Sequence, residues 1–155
     1  YLSTELQSMG VGPAEFDTQW FNNDEGINTE RACLFDDEYI FGADGSFTID
    51  HQQSTWIEGW QDSAVADSCS APVAPHDGSI EASYSYDTDG ETLSLNGMGA
   101  YIGLPKVTNS GELSSPGSAP GSVQYNAYLD ESTGKLTLTI QTSDSGNWWQ
   151  FVLVR

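Results

Sequence analysis

The stretch IEASYSYDTDGETLSLNG, residues 80–97, decides the fold class. In an extended chain Ile80, Ala82, Tyr84 and Tyr86 fall on one face, and Glu81, Ser83 and Ser85 fall on the other. Asp87, Thr88, Asp89 and Gly90 then supply turn chemistry, and Leu93 and Leu95 resume the alternation. Period two on both sides of a turn is a β-hairpin.

The same pattern continues in both directions. Downstream, GMGAYIGLP reads as an extended run with Met98, Ala100, Ile102 and Leu104 inward. A Ser, Gly and Pro-rich loop over residues 108–121 separates it from SVQYNAYLD, where Val123, Tyr125, Ala127 and Leu129 alternate. ESTGK turns the chain, Leu136, Leu138 and Ile140 mark the next strand, SDSGN turns it again, and WWQFVLVR follows. Upstream, Tyr39 and Phe41 answer Phe47 and Ile49 across GADG in a further hairpin, and STWIEGW is expected to pair next. Residues 6–31 lack periodicity. They read as a long excursion with one short helical turn, leading from a first strand near Tyr1 to the Tyr39 strand. These elements predict an all-β antiparallel meander, closed or nearly closed into a barrel. A two-sheet β-sandwich is the alternative, with the long loops as its crossovers.

With 155 residues, the chain has the size of one domain with a single core. Its 23 acidic residues against 4 basic ones give a formal net charge of -19. Such a surface repels phosphate backbones and anionic lipid heads, which argues against nucleic acid and polyanionic glycans as partners. Neutral ligands and cations remain. No run approaches the roughly 20 apolar residues of a membrane span, and no signal peptide is visible. Tyr1 is expected inside or just after a first strand, so the chain reads as a piece of something longer. Cys33 and Cys69 are the only cysteines and both adjoin loop-like sequence. A disulfide between them predicts an oxidising compartment, outside the cell or on its surface. Two buried free thiols are the alternative.

Aromatic residues out of register with the apolar series are the candidates for ligand contact. Tyr101 is opposite in phase to Met98, Ala100, Ile102 and Leu104, with Gly99 and Gly103 beside it. Trp148 is offset from Trp149 and Phe151, and Tyr128 shares its face with Gln124 and Asn126. Trp56 and Trp60 are four apart with Glu58 between them, and a carboxylate between indoles is uncomfortable in a dry core. Trp20 lies in the polar excursion. Flat rings beside amides and carboxylates suit a sugar, whose axial C–H bonds stack on the ring while its hydroxyls take hydrogen bonds. Trp60, Tyr101 and Trp20 are the expected platforms and Trp148 a weaker one, Trp56 is more a structural residue than a ligand contact, and Glu58 is the polar partner.

Catalytic motifs are absent from the linear order: there is no Gly-x-Ser-x-Gly elbow, His-Glu-x-x-His or phosphate loop. A small glycan-active enzyme would have to draw on Asp36, Asp37 or Glu58, and a spacer domain would bury every aromatic residue. No cofactor is expected. A structural calcium ion is compatible with Asp36 and Asp37, and DTDG and GADGS are better read as turns than as calcium loops.

The segments GVGP, TERACLFDDEYIFGADGSFT, TWIEGWQ, CSAPVAPHDGS, YSYD, LNGMGAYIGLPK and WWQFVLV together resemble a module of secreted multidomain proteins from marine polysaccharide-degrading bacteria. The resemblance runs over residues 9–155 and is most specific at residues 97–106. It implies a non-catalytic carbohydrate-binding module flanked by other domains, with laminarin, a neutral β-1,3-glucan, as the leading ligand; a monomer is expected. The YIF-ADG-SFT hairpin also resembles lipocalin-like domains, in keeping with a barrel.

Overall fold

A computed structural model describes residues 1–65, 67–142 and 146–155. Among these residues nine strands form one antiparallel sheet: β1 (Met9–Gly12), β2 (Phe21–Asn22), β3 (Glu38–Phe41), β4 (Ser46–Asp50), β7 (Ala82–Asp87), β8 (Thr92–Asn96), β11 (Ser122–Asp130), β12 (Lys135–Thr142) and β13 (Asn147–Leu153). Their spatial order is β2-β1-β13-β12-β11-β8-β7-β4-β3. From β3 to β13 this is the predicted meander, with sequential strands as neighbours, and the first strand then joins the last. Two small sheets accompany it, β5 (Thr55–Ile57) with β6 (Ser68–Ser70) and β9 (Val107–Thr108) with β10 (Gly111–Glu112). Two short helices, α1 (Glu25–Glu30) and α2 (Ala32–Phe35), fill the excursion.

The hairpins stand in the register that alternation predicts. Tyr39 faces Ile49 and Phe41 faces Phe47; Tyr84 faces Leu95; Leu138 faces Phe151. The inner face carries the core: Phe47, Ile49, Leu93, Leu95, Val123, Tyr125, Leu138, Ile140, Trp149 and Phe151 are all buried. In a flat sheet β13 and β3 would lie about 28 Å apart. Phe41 and Leu153 nevertheless line one hollow, so the sheet curls on itself. Among the described residues β2 and β3 remain its edges, so the barrel does not close, and a large sheet with smaller ones is consistent with the two-layer alternative. Tyr1 and Leu2 lie along the end of β13, and the Tyr1 hydroxyl donates to Glu38 across the seam to β3.

The first strand is β1, not a strand at Tyr1, because only the single bridge Leu2–Leu153 forms there. β1 shows no apolar–polar alternation, since glycines Gly10 and Gly12 occupy its outer face and all four of its residues are buried. A methyl group at Gly10 would strike Thr18 and the Phe21 carbonyl, and one at Gly12 would strike Asp17. The two glycines therefore let the β1–β2 loop lie directly on the strand.

The run over residues 98–104 is not a strand. Gly97, Gly99 and Gly103 have positive φ, and a side chain at Gly99 or Gly103 would collide with Pro75 or the Phe151 ring. The segment is an irregular coil that enters the space beneath the sheet, with residues 99–105 all buried and Met98 outside. Its backbone stays hydrogen-bonded because inner-face phenols reach it. Ile102 N donates to the Tyr125 hydroxyl (3.0 Å) and Gly103 N to the Tyr39 hydroxyl (3.1 Å). STWIEGW likewise gives only the three-residue β5, buried on both sides, before the chain turns at Glu58. The expected turn at SDSGN falls mostly outside the described residues. Among them, no helix is long and apolar enough to cross a membrane.

Candidate functional site

The β1–β2 loop folds back over the outer face of the sheet and presents two rings to solvent. Its anchor is Glu15. Thr139 Oγ1 (2.6 Å), Asn126 Nδ2 (2.8 Å) and the Tyr128 hydroxyl (3.0 Å) all donate to its Oε1. Burial works against the Glu15 charge, but these three donors together outweigh it and hold the carboxyl below its ordinary value. The Tyr128 hydroxyl is raised by the same surroundings, through burial and then its bond to Glu15. Asp17 stiffens the next turn by accepting from Gln19 N (2.9 Å) and Gln19 Nε2 (3.0 Å).

Between these two anchors stands Phe16, at φ 64° in the left-handed region that a bulky residue rarely adopts. Its ring packs at 5.2 Å against Tyr128 yet is 54 % exposed. Trp20, at the far end of the loop, is 56 % exposed. A polar hollow of about 480 Å³ lies along the loop, lined by Gln7, Glu15, Asp17, Gln19 and Asn22 as well as Phe16. Trp148 stands half-buried on the same outer face, between Gly12 and Gln141 in register. Of the sequence-derived residues this region collects Trp20, Trp148 and Tyr128. It adds Glu15 and Phe16, which sequence reasoning missed. The paired glycines of β1 were the available signal, since a strand face without side chains has something lying against it.

Trp60 and Glu58 belong to a second patch. Trp60 is half-buried, and its Nε1 donates to Glu58 Oε2 (3.0 Å). Glu58 Oε1 pairs with Lys106 Nζ at 2.9 Å, and Lys106 also approaches Glu112 at 3.6 Å and lies over the Trp149 ring at 5.5 Å. Glu58 is thus a paired carboxylate beside one indole rather than an acid between two, because the chain turns after Ile57 and separates Trp56 from Trp60. Trp56 is 3 % exposed, beneath the Arg31 guanidinium at 4.6 Å, and is part of the core.

Tyr101 is a correction of the same kind. At 2 % exposure it is no platform: the coil that carries it is buried on every side, so neither phase of its alternation faces out. Its ring lies between His51 (6.1 Å, stacked) and His76 (5.8 Å, edge-on), and His76 in turn meets Trp60 edge-on at 5.6 Å. Burial pushes the Tyr101 and Tyr39 hydroxyls well above their ordinary value.

Beside these rings lies a buried polar joint. Asp37 contacts His51 Nδ1 through Oδ1 (2.9 Å) and accepts from Thr55 Oγ1 through Oδ2 (2.7 Å). The other histidine nitrogen, Nε2, donates to the His76 carbonyl at 3.0 Å. A carbonyl only accepts, so Nε2 carries hydrogen, and one further proton lies in the Asp37–His51 contact. The pair is therefore neutral in sum. Burial raises the Asp37 carboxyl, against the bonds from His51 and Thr55. Asp36, its neighbour, is exposed, and no cluster of three metal-ligating side chains exists among the described residues. Cys33 and Cys69 are bonded to each other.

His76 makes the joint sensitive to acid. It is buried with Nδ1 unpartnered, and desolvation lowers its pKa from 6.5 to about 4, against the pull of Asp77 and with the repulsion of His51. Between those two values the unfolded chain binds the proton and the folded one does not, so stability falls as pH drops from 6.5 through about 4. The expected loss is about 3 kcal/mol, part of it returned near the bottom of the window by Asp37, whose folded pKa is raised. Urea midpoints followed over this range should drop in the wild type and change less in H76Q. Equal slopes would contradict the assignment.

No family model, curated protein or solved structure matches the chain.

Proposed function

We propose that this is a non-catalytic module that binds a neutral polysaccharide, laminarin-type β-1,3-glucan first among them, on the outer face at the β1–β2 loop. The observation that carries the reading is the exposure of Phe16 and Trp20 on a loop fastened to the sheet at Glu15 and stiffened within itself at Asp17. Exposing two large apolar rings costs free energy, and a floppy loop would fold them away. Here the anchors hold them out, and Phe16 keeps a strained backbone to do so. The reading is supported by the amides and carboxylates that line the adjoining hollow, the groups that hydrogen-bond sugar hydroxyls. The disulfide and the excess of acid agree with a secreted or surface-displayed protein, and repulsion of anionic polymers leaves neutral glucans as the favoured class.

Calorimetric titration with soluble laminarin tests this directly. Wild type should give saturable heat that changes little with added salt, since no charge pair forms. W20A and F16A should each weaken binding about tenfold or more, the cost of removing a ring that the sugar covers. W60A should leave it within about threefold, because that indole belongs to the other patch. Absence of heat with laminarin and with other neutral glucans and mannans would remove the proposal.

A further inference from the structure

At the end of the sheet opposite the buried coil the core is left open. Phe41, Tyr84, Tyr86, Leu93, Leu129 and Leu136, with Ala127, line an apolar hollow of about 210 Å³. Through Phe41, Leu129 and Leu136 it adjoins a second hollow of about 360 Å³ at the seam between β3 and β13. Leu129 is 57 % and Tyr86 45 % exposed, although both occupy inner-face positions of their strands. The Tyr84 hydroxyl is committed to the Gly42 carbonyl at 3.1 Å, so the walls offer carbon and ring faces rather than partners for sugar hydroxyls. Phe41 and Tyr84 meet edge-on at 5.0 Å.

The meander sets the charge around this opening. Alternate connections of an up-and-down sheet emerge at one end, so the β3–β4, β7–β8 and β11–β12 turns share this rim. They carry Asp44, then Asp87, Asp89 and Glu91, then Asp130 and Glu131, with no lysine or arginine among them. Lys135, which follows, is paired with Glu5 at 2.6 Å. At the seam Glu38 and Arg155 face the wider hollow. An apolar, aromatic-walled cavity inside an acidic rim has the composition of a site for a cation with a greasy body.

We infer that the open end of the sheet binds small organic cations that carry an apolar chain or ring. The apolar part fills the space between Leu93, Leu129 and Leu136, and the charged head sits at the rim beside the carboxylates and the Phe41, Tyr84 and Tyr86 faces. Asp44 and Asp130 accept hydrogen bonds from their own turns that hold both carboxyls below their ordinary value, so the rim keeps charge in mild acid. This site is separate from the outer-face loop, and its occupancy does not depend on glycan binding.

Titration with decyltrimethylammonium below its micelle concentration, at low salt, tests the inference. Saturable one-to-one binding is expected, about tenfold or more tighter than that of decyl sulfate, with no detectable binding of tetramethylammonium. L129K and Y86S, both at exposed positions, should weaken the cation about tenfold while the thermal midpoint and laminarin titration stay as in wild type. D89K/E131K should shift preference toward the sulfate. Equal affinity for both amphiphiles, binding unaffected by L129K and Y86S, or no binding at all would each overturn the assignment.

Discussion

Asp37→Ala is expected to lower the free energy of unfolding by about 3–5 kcal/mol. The carboxylate is fully buried and is the shared acceptor of a joint between four chain segments. It follows α2, meets His51 at the end of β4 and Thr55 at the start of β5, and through His51 reaches the loop of His76. Removing it leaves the buried His51 Nδ1 and the Thr55 hydroxyl without their Asp37 partner, and each unsatisfied group costs its own desolvation. Asp37→Asn keeps the shape and an acceptor for Thr55, so its loss should be smaller. Urea unfolding of the two variants separates these cases. A D37A protein within about 1 kcal/mol of wild type would mean that water or neighbouring groups repair the gap.

Reduction of the Cys33–Cys69 bond should cost a similar amount. The bond joins residues 36 apart, and the chain-entropy model gives about 4 kcal/mol for a loop of that length. It also fastens α2 to the β5–β6 ribbon, which has only three pairs of its own. Cys69 is exposed, so mild reductant has access to it. Thermal melts of C33S/C69S, or of wild type with and without reductant, should show the loss as a clear fall in midpoint. Melts that coincide would show that the ribbon holds without its covalent tie.

The hairpins were legible because alternation is a local property. Tyr84, Leu95, Tyr125 and Leu138 each announce their face within a few residues, and the sheet puts them where that announcement says. Residues 98–104 alternate in the same way and are not a strand. Apolar residues spaced by glycines describe a half-buried strand and a wholly buried coil equally well, and what separates them here is the positive φ of Gly99 and Gly103. Alternation alone puts Tyr101 on the outside for this reason, whereas Trp56, read as the more structural of its pair, is in the core, where β5 buries both sides. Glu15 and Phe16 were hidden for the opposite reason. Nothing within PAEFDT marks them; their meaning comes from Asn126, Tyr128 and Thr139, more than a hundred residues away. Trp20 was found because a tryptophan in a polar loop is conspicuous without its neighbours.

The pairing of β1 with β13, Met9 opposite Phe151, has a consequence for how the molecule is made. The β2 strand covers one edge of β1 early, but the other edge has no hydrogen-bonded neighbour until β13 has been made. Sequence-distant pairing of this kind places folding in the millisecond-to-second class rather than among the microsecond folders. The local hairpins can therefore form as they are made, and the sheet is complete only once β1 and β13 have met.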